Sequence, residues 1–155
     1  MILTKKSFYI TSLLVMAVDQ FTKNLAISHL QAPITVCDYL NLLIVKNFGV
    51  SFGILNFGVP IVTTRILIAA FVTAIIAFLL KIEQKSLPIS LIIGGALGNL
   101  FDRIYLGYVI DFIDVHVMEY HWPAFNIADC AVCIGVFLYV LPTKSGSKRG
   151  KNAIK

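Results

Sequence analysis

Charge is what this sequence has least of. Asp and Glu together number 8 and Lys and Arg 13 in 155 residues, so charged residues make up 14% while 58% are hydrophobic. A soluble domain usually carries about 25% charge, and a mean hydropathy of +0.86 takes the chain out of that class and into the bilayer. Also missing are a long polar linker, an internal repeat and a low-complexity stretch ahead of the tail, which excludes a multidomain chain and leaves one domain over residues 1–155. His116 and His121 lack the helical HExxH spacing that sets two ligands on one face, so no metal and no cofactor is expected. The net charge of +5 comes without aromatics interleaved among the basic residues. That excludes a nucleic-acid platform and makes anionic lipid headgroups the expected partner.

The N-terminus has the basic and apolar parts of a secretory leader, Lys5 and Lys6 before the run 8–18, but no small-residue cleavage site follows. Asp19, Gln20 and Lys23 interrupt the segment and apolar residues continue to Leu30, so a retained anchor is expected. Apolar runs at about 7–27, 61–80, 87–106 and 125–141 each approach the roughly 20 residues that cross a bilayer. The fold expected is an all-α membrane protein of four transmembrane helices. Gly94, Gly95 and Gly98 would let the third approach its neighbours closely. If the spans alternate, Lys5, Lys6, Lys81, Lys85 and the tail residues Lys144, Lys148, Arg149, Lys151 and Lys155 fall on one side, and the opposite connections hold only Lys46 among Lys and Arg. The positive side is cytoplasmic. Both termini and the basic tail 142–155 are therefore expected there. The first outer connection contains the β-prone runs LNLLIV and VSFGIL on either side of residues 46–49, which fit a small extracytoplasmic hairpin or an ordered loop.

Ionisable residues inside a membrane are costly and mark function, so their depth is informative. Asp19 lies about 18 Å into the first span, with Lys23 one turn later on the same face. Asp102 and Arg103 lie roughly 24 Å along the outward-running third span, and Asp111 just beyond. Asn126 opens the fourth span and Asp129 is about 6 Å deeper. All point to one layer near the outer surface. Asp19 and Lys23 suit an i,i+4 ion pair holding the bundle or a chemical role. Asp102 suits a helix-end pair with Arg103. Asp114 and Glu119 read as solvated loop acids, and His29, His116 and His121 as loop or interface residues. Asp129 has no partner evident in its own segment. Two carboxyls from different segments at one site of low dielectric tend to share a proton, which is aspartic-protease chemistry: one takes a proton from the attacking water, the other polarises the carbonyl. Asp111 and Asp129 suit these roles, with Asp102 as the rival to Asp111.

The blocks GGALGNLFDR, GYVIDF and PAFNIAD, with DQFTK in the first span and KNFGVSFG after it, resemble in content and order the signature blocks of bacterial lipoprotein signal peptidase, signal peptidase II. The resemblance covers nearly the whole chain. It implies an aspartyl endopeptidase that cleaves the signal peptide just before a diacylglyceryl-modified cysteine, with Asp111 and Asp129 as the catalytic pair. It further implies that Asp19, Lys23, Asn47, Asn99, Arg103 and Asn126 frame the site and the lipid-modified prolipoprotein; a monomer is expected. The chain departs from the family at Phe48, where threonine is common. Cys130 and Cys133 form a CxxC, but a disulfide oxidoreductase needs a second thiol pair and only Cys37 remains. A transporter would spread its charges through the membrane depth.

Overall fold

The structure, a computed structural model, describes residues 2–49, 61–82 and 85–141. The run VSFGIL and the tail 142–155 lie outside the described residues. Four helices form where the apolar runs lie: α1 (Lys5–His29), α2 (Ile61–Lys81), α3 (Leu87–Tyr105) and α4 (Ile127–Val140). Their ends follow local chemistry. Thr4 caps α1, its side chain accepting from Ser7 N. Pro88 sits in the first turn of α3, where its missing N–H costs nothing. Lys85 Nζ donates to Leu80 O and Ile82 O, satisfying carbonyls at the end of α2. Asn126 caps α4 in a reciprocal box with Asp129.

Helix α3 is the hub, and its glycines explain why. A methyl group on Gly94 would stand 2.7 Å from Ser12 O of α1, and one on Gly95 would collide with Ala128 O of α4. Backbone-to-backbone approach of this kind is how helices associate when lipid removes the hydrophobic drive between them. Ser12 Oγ adds a 3.0 Å hydrogen bond to Ser90 O. Near the start of α1 the packing is apolar, with Phe8, Ile76, Ile89, Ile93 and Leu100 buried together. The outward faces are apolar too: Phe71 is 67% and Phe78 68% exposed, a distribution suited to a solvent of acyl chains. By length and composition, Val62–Lys81 and Leu87–Tyr105 suffice to cross a membrane; α4 is apolar but spans 14 residues, and α1 has 25 residues interrupted by charge.

At one end of the bundle Leu3 N donates to Lys85 O at 2.8 Å, so the N-terminus and the α2–α3 connection lie side by side. The other end carries the main departure from the all-α expectation. The β-prone run 40–45 is indeed strand, but it belongs to a four-stranded antiparallel sheet rather than a lone hairpin: β1 (Ile34–Cys37), β2 (Leu40–Asn47), β3 (Val109–Val117) and β4 (Tyr120–His121), in that spatial order. Both outer connections contribute. Asn41 pairs with Asp114, Val45 with Asp111 and Asn47 with Val109, with a bulge between Leu42 and Val45. A bulge re-aims side chains locally, and Asp111 and Asp114, an odd number of residues apart, are both buried.

Candidate active site

The site forms where β3 meets the starts and ends of three helices, and its members are placed by three asparagine amides. Asn47 Oδ1 accepts from Gly49 N at 2.8 Å, so its Nδ2 must face the other way, onto Asp111 Oδ2 at 2.8 Å. The tight turn that brings this N–H round needs Gly49 at φ 79°. Asn126 Oδ1 accepts from Asp129 N at 3.0 Å as the helix cap, which turns its Nδ2 to Asp111 Oδ1 at 2.7 Å. Asn99 Oδ1 accepts from Lys23 Nζ at 2.8 Å, leaving Nδ2 for Asp129 Oδ1 at 2.8 Å. Each amide is oriented by a group that can only donate. The result is one carboxyl, Asp111, held by two amides, and a second, Asp129, held by Asn99 and by the Asn126 N–H at 3.2 Å. Asn126 touches both acids. Asp111 is buried and Asp129 half-buried.

Beneath the pair lies a charged layer. Lys23 Nζ stands 2.8 Å from both Asp19 Oδ2 and Asp102 Oδ2, and all three residues are almost fully buried. Such a triad is stable only when its remaining lone pairs are filled, and they are: Ala128 N donates to Asp19 Oδ1 at 2.9 Å, and Gln20 Nε2 donates to Asp102 Oδ1 at 2.8 Å and Ile110 N to Oδ2 at 3.2 Å. Space for it exists because residue 98 is glycine, where a methyl group would stand 2.5 Å from Asp19 Oδ2. Arg103 Nη1 donates to Asn99 O at 3.1 Å, and its guanidinium lies in the field of Asp129, Asp111 and Asp102.

Asp19, Lys23, Asn47, Asn99, Arg103, Asp111, Asn126 and Asp129 are therefore one connected cluster. Two expectations change. Asp102 pairs with Lys23 rather than with Arg103, because consecutive helical residues point about 100° apart and Asp102 faces α1. Asp114 is not a solvated loop acid: it is 4% exposed and bound to Asn41 and His121. Gln20, which links Asp102 with Gly98 O and Asp19, was read only as an interruption of the first span. A signal for it lies in the motif itself, since a glutamine beside an embedded aspartate needs partners of its own. Burial pushes the Asp111 carboxyl up to about 6; the Asn47 amide opposes this and the charge of Asp129 adds to it. Among the described residues no group of three or more His, Cys, Asp or Glu is placed to hold a metal ion, and Cys37, Cys130 and Cys133 are free thiols.

Two carboxyls held by one asparagine, one through its side-chain amide and one through its backbone N–H, in a fold whose exterior suits lipid, are what a membrane enzyme would present. Two solved structures described as bacterial membrane enzymes share this fold. One has a TM-score of 0.73 and 29% identity and covers 99% of this chain and 98% of its own. The other has a TM-score of 0.72 and 32% identity over 90% and 93%. The lipoprotein signal peptidase of Teredinibacter turnerae is 40% identical over 97% of this chain and 94% of its own, and that of Thermodesulfovibrio yellowstonii 44% over 84% and 90%. Residues 11–143 match the family described as Signal peptidase (SPase) II. The chain belongs to the signal peptidase II family and is an aspartic-type peptidase of lipoprotein processing.

Proposed function

We propose that the protein is a membrane aspartyl endopeptidase that cleaves signal peptides from diacylglyceryl-modified prolipoproteins just before the lipidated cysteine, with Asp111 and Asp129 activating water. The observation that carries this reading is Asn126, whose side chain and backbone N–H hold one oxygen of each acid. The pair shares one proton. With Asp111 raised to about 6, first by burial and further by the charge of Asp129, the pair loses its shared proton as pH rises through that region, the apparent values belonging to the pair rather than to either acid. The ionised acid takes a proton from water as it attacks, and the protonated acid donates to the carbonyl oxygen. The layer of Asp19, Lys23 and Asp102 fixes Asn99 from below.

All four helices cross the inner membrane, with both termini cytoplasmic. The placement of the N-terminal segment, through Leu3, beside Lys85 at one end of the bundle and of the acids at the other supports this arrangement, because positive charge marks the cytoplasmic side. A site within a turn or two of the outer surface meets a scissile bond anchored at that depth by acyl chains, each buried CH2 adding about 0.8 kcal/mol. The working unit is a monomer without metal or cofactor. Incubation of the purified protein with lipidated and non-lipidated forms of one precursor tests the reading: cleavage of the lipidated form alone is expected, and equal turnover of both would remove the substrate assignment.

A further inference from the structure

A second cluster of titratable side chains lies outside the residues that touch Asp111 or Asp129. Asp114 accepts from His121 Nδ1 at 2.8 Å on one oxygen and 2.9 Å on the other, and its Oδ2 also accepts from Asn41 Nδ2 at 3.0 Å. An ionised carboxyl only accepts, so His121 donates through Nδ1 whichever protonation state it holds. His116, its cross-strand neighbour, stacks on it with ring centroids 4.8 Å apart, and His116 Nδ1 lies 3.3 Å from Met118 O.

The role follows from which segments this cluster ties together. Asn41 belongs to β2, the strand that ends in Asn47. His121 belongs to β4, and the chain after it runs back along β3: Trp122 N donates to Val115 O at 2.8 Å, and Phe125 N to Ile113 O at 3.1 Å. The next residue is Asn126. Asn47 and Asn126 are the two amides on Asp111, and they arrive on the two segments that Asp114 binds to β3. Strand β4 is only two residues long, so its ladder alone fixes register weakly, and a slip by one residue would turn the following side chains to the wrong face.

We infer that Asp114, with His121 and Asn41 as its donors, is a positioning residue of the peptidase, setting the register of both segments that deliver amides to Asp111. This rests on Asp111 and Asp129 being the catalytic pair. Burial pushes the Asp114 carboxyl up, but the hydrogen bonds from His121 and Asn41 and the nearby imidazoles more than offset it, so the group stays ionised as the tie requires. It acts through Asp111 and touches no reacting atom.

The test is steady-state cleavage of a lipidated precursor by the purified full-length enzyme and its His121→Ala, His121→Asn and Asp114→Ala variants, with His29→Ala as control. His121 is half exposed, so His121→Ala removes the tie with little damage to packing and decides the matter even where Asp114→Ala fails to fold. A displacement of about 1 Å at reacting groups costs up to about 100-fold. His121→Ala is expected to lower kcat roughly 10- to 100-fold with KM within about twofold. His121→Asn, whose amide can donate from the place of Nδ1, is expected to recover most of that. The high-pH limb of kcat/KM, set by Asp111 facing Asp129 of α4, Lys23 of α1 and Arg103 of α3, is expected to move to higher pH in His121→Ala, because the Asn47 and Asn126 amides that favour the ionised form of Asp111 are displaced. A purely structural tie would reduce the amount of folded enzyme and leave the limb in place. Wild-type kcat and limb in folded His121→Ala would overturn the inference. Asp111→Asn in the same assay separates the two readings: activity there removes the catalytic pair, whereas its inactivity beside a normal His121→Ala removes only the positioning role.

Discussion

At the end of the bundle where Phe8, Ile89 and Ile93 meet, buried side chains mostly fill space, with the Ser12–Ser90 hydrogen bond a directional contact among them. At the other end, Asp19, Lys23, Asp102, Asn126 and Asp111 are buried as deeply, yet every contact there has a donor, an acceptor and one orientation. The same helices α1 and α3 run through both. Their apolar half sets how closely the helices lie, and the polar half uses that distance to place charges within 3 Å. The difference teaches that burial alone does not identify function in this molecule. What does is burial of groups whose partners come from different segments.

Substitutions at the two ends are expected to separate stability from activity. The largest effect belongs to Asp111→Asn and Asp129→Asn, each expected to lower turnover of a lipidated precursor roughly a thousandfold or more, within the range of general acid–base catalysis and shared protons. The double variant is expected to cost little more than either single one, since the two work as a unit; additive losses in the same assay would break the pair. Next is Asn126→Ala, which removes an amide from Asp111 and the cap of α4. Activity is expected to fall about 100-fold while stability falls by about 1 kcal/mol, typical of a lost cap, as read by kinetics beside thermal unfolding. Ile89→Ala should do the reverse, costing about 2–5 kcal/mol of stability with kcat per folded molecule nearly unchanged. Asn47→Ala sharpens the comparison further. Its amide favours the ionised form of Asp111, so its loss raises that carboxyl above 6 and moves the high-pH limb of kcat/KM upward, with about a tenfold loss of rate; a downward shift in the pH profile would contradict the geometry. The smallest effect belongs to Cys130→Ala with Cys133→Ala, expected to keep activity within about twofold, with loss in a folded variant reviving the redox reading.

Much of this was legible from residues alone. Each helix follows an apolar run, and the depth of each ionisable residue could be counted from helical rise, which placed Asp19, Lys23, Arg103, Asn126 and Asp129 in one layer before any contact was known. Pairing across segments was not legible. Nothing local indicates that β2 joins β3 across more than sixty residues of chain, since strand pairing depends on how α2 and α3 fold back. Asp114 was misread for that reason: its neighbours in sequence are those of an exposed loop, and its partners, Asn41 and His121, come from other strands. Asp102 was assigned to the neighbouring arginine because adjacency in the chain is visible, whereas the 82 residues to Gln20 and the turn of α3 toward Lys23 are not.

The three asparagines have a consequence for rate. In water, a proton that changes place forces nearby dipoles to rotate, and that reorientation is part of the barrier. Here Gly49 N, Asp129 N and Lys23 Nζ have each already locked one amide, so the dipoles around Asp111 and Asp129 cannot turn and need not. The medium around the two acids behaves as a frozen solvent, its reorganisation completed when the chain folded. Ligands that compete for this site gain from presenting acceptors to amides that are already aimed. Those that ask an amide to flip must first break a cap, a turn or an ion pair.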